Sequence, residues 1–288
     1  MVPGAEPITS PPDTAMQPNS TESQPPVTVA TVRSMKAARE KIACLTVYDA
    51  SFARVLDDAG VDILLVGDSL GMVIQGEETT LPVTVEHMVY HTRSAARGCR
   101  RALLMADMPF MSYATPQQAL DNAARLMREG QAQMVKLEGG RSQVETVRLL
   151  SDRGIPVCAH LGLQPQSVHK VGGYRVQGRG EAAALGMLED AKALQEAGAD
   201  LLLLECVPSA LAAGITVAVD VPVIGIGAGP DCDGQVLVLY DMLGVTPGPV
   251  PRFAQDFLKQ GGNVAEAVRA YVAAVKDGSF PTRAHAYD

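Results

Sequence analysis

Tryptophan is absent from the 288 residues and aromatic residues make up only 4%. The chain therefore offers no row of flat rings on which nucleobases could stack. No apolar run approaches the ~18–20 residues that span a bilayer. Positive charge is in short supply: 24 Lys and Arg face 32 Asp and Glu, a net charge of −8. That balance argues against a nucleic acid or an anionic membrane surface as partner. The five cysteines, Cys44, Cys99, Cys158, Cys206 and Cys232, include no C-x-x-C pair, so no zinc site is expected. Several sit inside apolar runs, the setting of reduced buried thiols, which points to a reducing compartment and a cytoplasmic enzyme. The N-terminus has neither a basic stretch followed by an apolar one nor any arginine before Arg33, so neither a secretory signal nor a mitochondrial transit peptide is expected.

What is present is 47% hydrophobic and 19% charged residues, ample for a core that buries roughly three quarters of the unfolded surface. Residues 1–29, rich in Pro, Ser and Thr with only acidic charges, are expected to be a disordered, dispensable tail before a single domain over 30–288. Thr31 to Glu40 reads as a short leading helix. A rhythm then begins. Short all-apolar runs at Ile42–Val47, Ile63–Val66, Ala102–Ala106, Met134–Leu137, Val157–His160, Leu201–Leu204 and Val223–Ile226 read as strands. Amphipathic stretches between most of them read as helices, closed by Gly60, Gly98, Gly130, Gly154 and Gly198. Apolar strands alternating with helices imply parallel strands buried on both faces. Repeats of about 30 residues fit either an eight-fold barrel or a doubly wound sheet, and a barrel takes ~250 residues. Tyr48-Asp49-Ala50-Ser51 follows the first strand where a dinucleotide fold would place G-x-G-x-x-G, so the expected fold is a (β/α)8 TIM barrel. The eighth unit is ambiguous: Gln235–Tyr240 is a strand after a truncated crossover, or a helix starts at Asp233. Phe253 to Lys276 reads as terminal helices.

Five consecutive strands end in polar groups: Asp68-Ser69, Asp107, Lys136 with Glu138, His160, and Glu205. In a barrel these ends share one face and converge on one pocket. Each acid could instead cap the next helix. Asp107 escapes that reading because Thr115, before Pro116 and three residues ahead of Gln118, already has the capping position. Asp68 escapes it through the Gly- and Thr-rich loop that follows, and Glu205 through Cys206-Val207-Pro208. Lys136 and Glu138 share strand parity and so point to one side. Asp68, Asp107 and Glu138 form a hard-oxygen set suited to magnesium with open positions for water and substrate. The alternative is a carboxylate set neutralised by Lys136 without a metal. A lone histidine is usually a hydrogen-bonded core residue, yet His160 lies among acids where titrating groups gather in sites. Gly225-Ile226-Gly227-Ala228-Gly229 is not a dinucleotide fingerprint, and a tight turn with close backbone approach accounts for it.

These motifs resemble the ketopantoate hydroxymethyltransferase family of the phosphoenolpyruvate/pyruvate-type barrel superfamily. The resemblance runs from about Thr31 towards the C-terminus. It is carried by Val66-Gly67-Asp68-Ser69-Leu70-Gly71, Ala106-Asp107-Met108-Pro109-Phe110-Met111, Val135-Lys136-Leu137-Glu138-Gly139-Gly140, His160-Leu161-Gly162-Leu163 and Leu204-Glu205-Cys206-Val207-Pro208. It implies transfer of a hydroxymethyl group from 5,10-methylenetetrahydrofolate to 3-methyl-2-oxobutanoate, giving 2-dehydropantoate on the way to pantothenate and coenzyme A. It implies Mg2+ at Asp68, Asp107 and Glu138, with Glu138 reaching the ion through water. It implies keto-acid contacts from Asp68, Ser69, Asp107 and Lys136, His160 lining the same pocket, and Glu205 as the proton acceptor. The glycine-rich loop from Gly172 to Gly180 fits a lid.

Other readings remain open on the residues alone. They are a magnesium-dependent C–C lyase of the same superfamily, a Schiff-base enzyme using Lys136, and a non-catalytic barrel. Glu205 could also be a structural ion-pair partner of Arg175 or Arg179. The family resemblance implies a homodecamer, so light scattering at micromolar concentration should give a decamer mass; a monomer mass would contradict it.

Overall fold

The structure is a computed structural model that describes Met1 and residues 25–288; residues 2–24, most of the expected tail, lie outside the described residues. Eight parallel strands close into a barrel in sequence order, and the last pairs with the first. They are β1 (Ile42–Thr46), β2 (Ile63–Val66), β3 (Leu103–Asp107), β4 (Met134–Glu138), β5 (Val157–Gly162), β6 (Leu201–Glu205), β7 (Val223–Ile226) and β8 (Gly234–Leu237). Nearly every strand residue is buried, because barrel side chains on one face and helices on the other leave no wet side.

Helix α1 (Val29–Ala37) precedes the barrel, and α2 (Ala50–Asp58) joins β1 to β2. The segment after β2 holds one turn, α3 (Leu70–Val73), before α4 (Val85–Gly98). Helices α5 (Pro116–Arg128) and α6 (Val144–Asp152) follow β3 and β4, and α5 starts where Thr115 accepts from the Gln118 amide. After β5 come one turn, α7 (Val168–Val171), an extended stretch, and α8 (Glu181–Glu196). Helix α9 (Ser209–Ala218) follows β6. The eighth unit follows the strand expectation, and no helix starts at Asp233. Residues 227–233 cross from β7 to β8 without a helix, and β8 then gives way to α10 (Leu239–Met242), so Tyr240 is helical. The final helices are α11 (Leu258–Gly261) and α12 (Val264–Asp277). The Tyr271 hydroxyl of α12 meets the carbonyls of Cys44 at 2.9 Å and Gln235 at 3.0 Å, tying the β1–β8 seam.

The leading helix begins earlier than its apolar pattern suggests. Thr28 and Thr31 form a reciprocal capping box, and Arg39, at φ 57°, turns the chain out after the last turn. Val27 is buried, and its amide donates to the Arg101 carbonyl at 2.7 Å. Arg33 pairs with Asp200 at 2.7 Å and Lys36 with Asp233 at 2.8 Å. Arg101, Asp200 and Asp233 all precede strands, so α1 closes the N-terminal end of the barrel. Residues 27–29 therefore belong to the folded domain and not to the tail, because a buried valine and a capped helix outweigh the polar composition around them.

A chain beginning at Pro26 should keep the full melting temperature. One beginning at Val29 loses the Val27 side chain, worth about 1.5–3 kcal/mol, and the Thr28 cap, worth about 1 kcal/mol. It should melt roughly 5–10 °C lower by calorimetry at this chain length.

Candidate active site

Strand register brings the chemistry together. Asp107 pairs across with Lys136, Glu138 with His160, and Gly162 with Glu205. Asp68, Ser69, Asp107, Lys136, Glu138, His160 and Glu205 all line one cavity of about 630 Å³ at the C-terminal end of the strands. All seven expected site residues thus converge.

At the floor, the Asp68 amide donates to Asp107 Oδ2 at 3.0 Å, and Lys136 Nζ stands 3.0 Å from Asp107 Oδ1. That ion pair is off hydrogen-bond alignment, so the buried Oδ1 keeps no hydrogen-bond partner. Burial by itself would lower the Lys136 ammonium, but Asp107, Glu138 and Asp68 together hold it above its usual range. Burial, and then the charge of Asp107, push Asp68 up to about 7 against the pull of Lys136 and Gln166. Burial also raises Glu138 well above the ordinary carboxylate range.

Glu205 lies across the mouth with 16% of its side chain exposed, and burial raises its pKa to about 7. Its close neighbour is His160, whose Nε2 approaches Glu205 Oε2 to 3.3 Å without forming an aligned hydrogen bond. Burial and Lys136 hold His160 well below its normal pKa, so it is a neutral imidazole. The expected alternative, an ion pair from Glu205 to Arg175 or Arg179, is not formed. Arg179 Nε meets the Asp288 carbonyl at 3.3 Å, and Arg175 lines a different depression. The backbone around Glu205 is tightly specified. Gly162 has φ +96°, and a Cβ there would stand 2.2 Å from the Glu205 carbonyl. Cys206 takes the uncommon left-handed conformation at φ 47°.

Sequence reasoning missed Gln166. Its Nε2 donates to Asp68 Oδ2 at 2.8 Å and to the Met108 carbonyl at 2.9 Å, while its amide donates to Glu138 Oε2 at 3.1 Å. Tyr113 donates to Gln166 Oε1, and the Glu138 amide donates back to the Tyr113 hydroxyl at 3.3 Å. Nothing in the local pattern singles out one glutamine after a proline. Tyr48, two residues past β1, shares a 2.8 Å hydrogen bond with the Ser69 hydroxyl. Tyr174 crosses the mouth from the glycine-rich loop, and its hydroxyl reaches Met72 Sδ at 3.5 Å. The second expected motif, Gly225 to Gly229, serves close packing: a Cβ on Gly227 would press on Phe253, Tyr287 and Cys206.

Among the described residues, no group of three Asp, Glu, His or Cys side chains is arranged to enclose one ion directly. Asp68, Asp107 and Glu138, the set expected to hold magnesium with open positions, line the same cavity. A hard cation that keeps several waters needs only one or two direct carboxylates. Asp107 Oδ1, ion-paired to Lys136 but without an aligned hydrogen bond among the described residues, suits that mode.

The profile of the ketopantoate hydroxymethyltransferase family matches residues 26–283. The chain belongs to that family, and it is an enzyme. A 3-methyl-2-oxobutanoate hydroxymethyltransferase from Alkalilimnicola ehrlichii is 62% identical over 262 residues, covering 91% of this chain and 95% of the relative. One from Nitrosococcus oceani is 63% identical, covering 88% and 97%. Among solved structures, a putative phosphonomutase from Burkholderia cenocepacia J2315 superposes with TM-score 0.60 at 20% identity, over 75% of this chain and 94% of that one. A phosphoenolpyruvate phosphomutase from Streptomyces platensis subsp. rosaceus gives TM-score 0.58 at 14% identity, over 88% and 95%. At such identity the two share the barrel fold with this family member.

Lys136→Met in metal-free protein should cost about 3–5 kcal/mol, because it leaves Asp107 buried beside two further acids without its cation. Pairing it with Asp107→Asn should recover part of that loss. A double-mutant cycle by urea unfolding reads the coupling; purely additive losses would show that the pair is not coupled.

Proposed function

We propose that this family member moves a hydroxymethyl group from 5,10-methylenetetrahydrofolate to 3-methyl-2-oxobutanoate, yielding 2-dehydropantoate for pantothenate biosynthesis, with Glu205 as the base. The observation that carries this reading is a carboxylate of raised basicity facing an acid-and-lysine floor across one cavity.

Asp68 and Asp107 would hold a magnesium ion directly and Glu138 through water. Such an ion supplies Lewis acidity toward the carboxylate and keto oxygens of a 2-oxo acid. The protein's own groups do the rest. Glu205, with a pKa of about 7, can take the C3 proton near neutrality. His160 stays neutral beside it and does not compete as a cationic partner. Lys136 offsets the negative charge that gathers on the keto oxygen as C3 becomes nucleophilic. The Ser69 hydroxyl, backed by Tyr48, offers a donor to the substrate. The glycine-rich loop with Tyr174 limits water access while the carbon nucleophile meets the one-carbon unit. A homodecamer is part of this proposal and rests on the family resemblance.

A Schiff-base role for Lys136 fits poorly. A nucleophilic lysine needs a lowered pKa, and here three carboxylates keep the ammonium protonated. A C–C lyase reading shares the acid floor but has no separate observation in its favour.

Turnover with both substrates should vanish after chelation and return with magnesium, and Asp107→Ala should weaken magnesium affinity steeply. Full activity after rigorous metal removal would refute the metal role. For Glu205→Gln, keto-acid binding should persist while turnover and folate-independent exchange of the C3 proton with deuterated water both disappear. Wild-type exchange in that variant would move the base elsewhere. Because Glu205 must be ionised, kcat/KM should fall as pH drops through about 7, approaching tenfold per unit below it. A pH-independent rate down to pH 5 would contradict this assignment.

A further inference from the structure

A second depression of about 520 Å³ adjoins the main cavity, lined by Gly162, Gln164, Ser167, Lys170, Arg175 and Gln177 among others. The two share a wall. Leu163, Pro165 and Tyr174 face the main cavity, whereas their chain neighbours Gln164 and Arg175 face the second. The wall is fastened next to Glu205. The Leu163 amide donates to the Glu205 carbonyl at 2.8 Å, and the Gln177 amide to the Cys206 carbonyl at 2.9 Å.

The depression has a distinct charge. Among the described residues, neither Lys170 nor Arg175 has a carboxylate within ion-pair distance, and Arg175 bonds only through its carbonyl, to Gln177 Nε2 at 2.9 Å. Elsewhere on the surface Arg125, Arg141 and Arg269 are paired with acids. Lys170 and Arg175 thus place two cations with no carboxylate partner beside the active-site mouth of a chain of net charge −8. The main cavity presents a complementary puzzle. At about 630 Å³ it falls in the ~300–1,000 Å³ range of pockets for drug-sized ligands, far more than a short branched keto acid fills. Its outer part is lined by Tyr174, Phe253 and Tyr287, apolar and aromatic.

We propose that the second depression is the subsite for the anionic glutamyl tail of the folate co-substrate. This rests on the hydroxymethyl-transfer reading above. The flat pterin ring enters the outer main cavity against Tyr174, Phe253 and Tyr287. The tail then crosses the lip at Tyr174 and sets its carboxylates on Arg175 and Lys170. Consecutive residues of one extended segment thereby contact the two chemically different halves of one ligand. A guanidinium engages carboxylates in a two-pronged fashion, and a lysine adds a flexible point charge that suits a chain of variable length.

Steady-state kinetics of Arg175→Ala, Lys170→Ala and the double variant test this with three co-substrates: a monoglutamyl, a polyglutamyl and a glutamate-free methylenetetrahydropteroate form. The expected result is a folate KM raised about tenfold in each single variant and further in the double, the loss of a charge-assisted contact each time. The wild type should prefer the polyglutamyl form, the variants should lose that preference, and the glutamate-free form should be unaffected. Rising salt should weaken wild-type binding of the charged forms only. The keto-acid KM and the folate-independent C3 proton exchange should stay at wild-type values. The inference is overturned if the folate KM changes less than twofold. It is equally overturned if KM rises alike for the glutamate-free form, or if C3 exchange falls in parallel, since either result assigns the cations to loop structure. Absence of wild-type turnover with any folate would remove the underlying transfer reading as well.

Discussion

One buried ammonium surrounded by carboxylates governs this structure. Lys136 stands on β4 with Asp107 beside it on β3, Asp68 bonded to Asp107 through its own amide, and Glu138 farther along its own strand. A single cation cannot neutralise four acids once Glu205 is included. Burial raises the proton affinity of Asp68, Glu138 and Glu205, and neighbouring carboxylates add to the rise at Asp68 and Glu138. That imbalance has chemical value. Under the proposed mechanism it leaves a place for an added cation at the floor and a base at the rim. Replacing the same groups with apolar residues would give an equally well-packed barrel end and no chemistry.

The barrel makes this arrangement affordable. Strand parity and register direct the charged side chains into one cavity at the barrel mouth, while aliphatic layers beneath them provide the core. The opposite end contains charges too, but in a stabilising role. There Arg33, Lys36 and the Val27 amide fasten α1 over the strand starts. The two ends thus divide the work, with α1 and α12 securing closure and the C-terminal loops free to carry the site. Skipping a helix between β7 and β8 shortens the crossover, and α12, packed on β1 and α2, completes the layer on that side.

Support around the site comes from polar residues that touch no expected substrate atom. Gln166 connects the two floor carboxylates, Asp68 and Glu138, to the Met108 carbonyl and Tyr113, fixing the distance between the floor acids. Gly162 lets the β5 end approach the Glu205 carbonyl so closely that any side chain would displace it. The loop from Gly172 to Gly180 carries Tyr174 over the mouth and Arg175 away from it.

The first seven strands, their alternation with helices, and the acids at the strand ends were legible because they follow local rules. Apolar runs of strand length, capping residues such as Thr115 and closing glycines depend only on nearby chain. The same local rules placed Asp68, Asp107, Lys136, Glu138, His160 and Glu205 at one end, since parity and barrel closure follow from the strand pattern. What local pattern could not reach are contacts between residues distant in sequence. Val27 reads as tail until Arg101 is beside it, and Gln166 reads as an ordinary loop glutamine until two carboxylates close on it. Glu205 could have paired with Arg175 or Arg179, but tertiary packing gave it His160 instead and turned Arg175 to the far side of the wall. Its basicity, likewise, is set by burial, a property of the assembled barrel and not of any short stretch of residues.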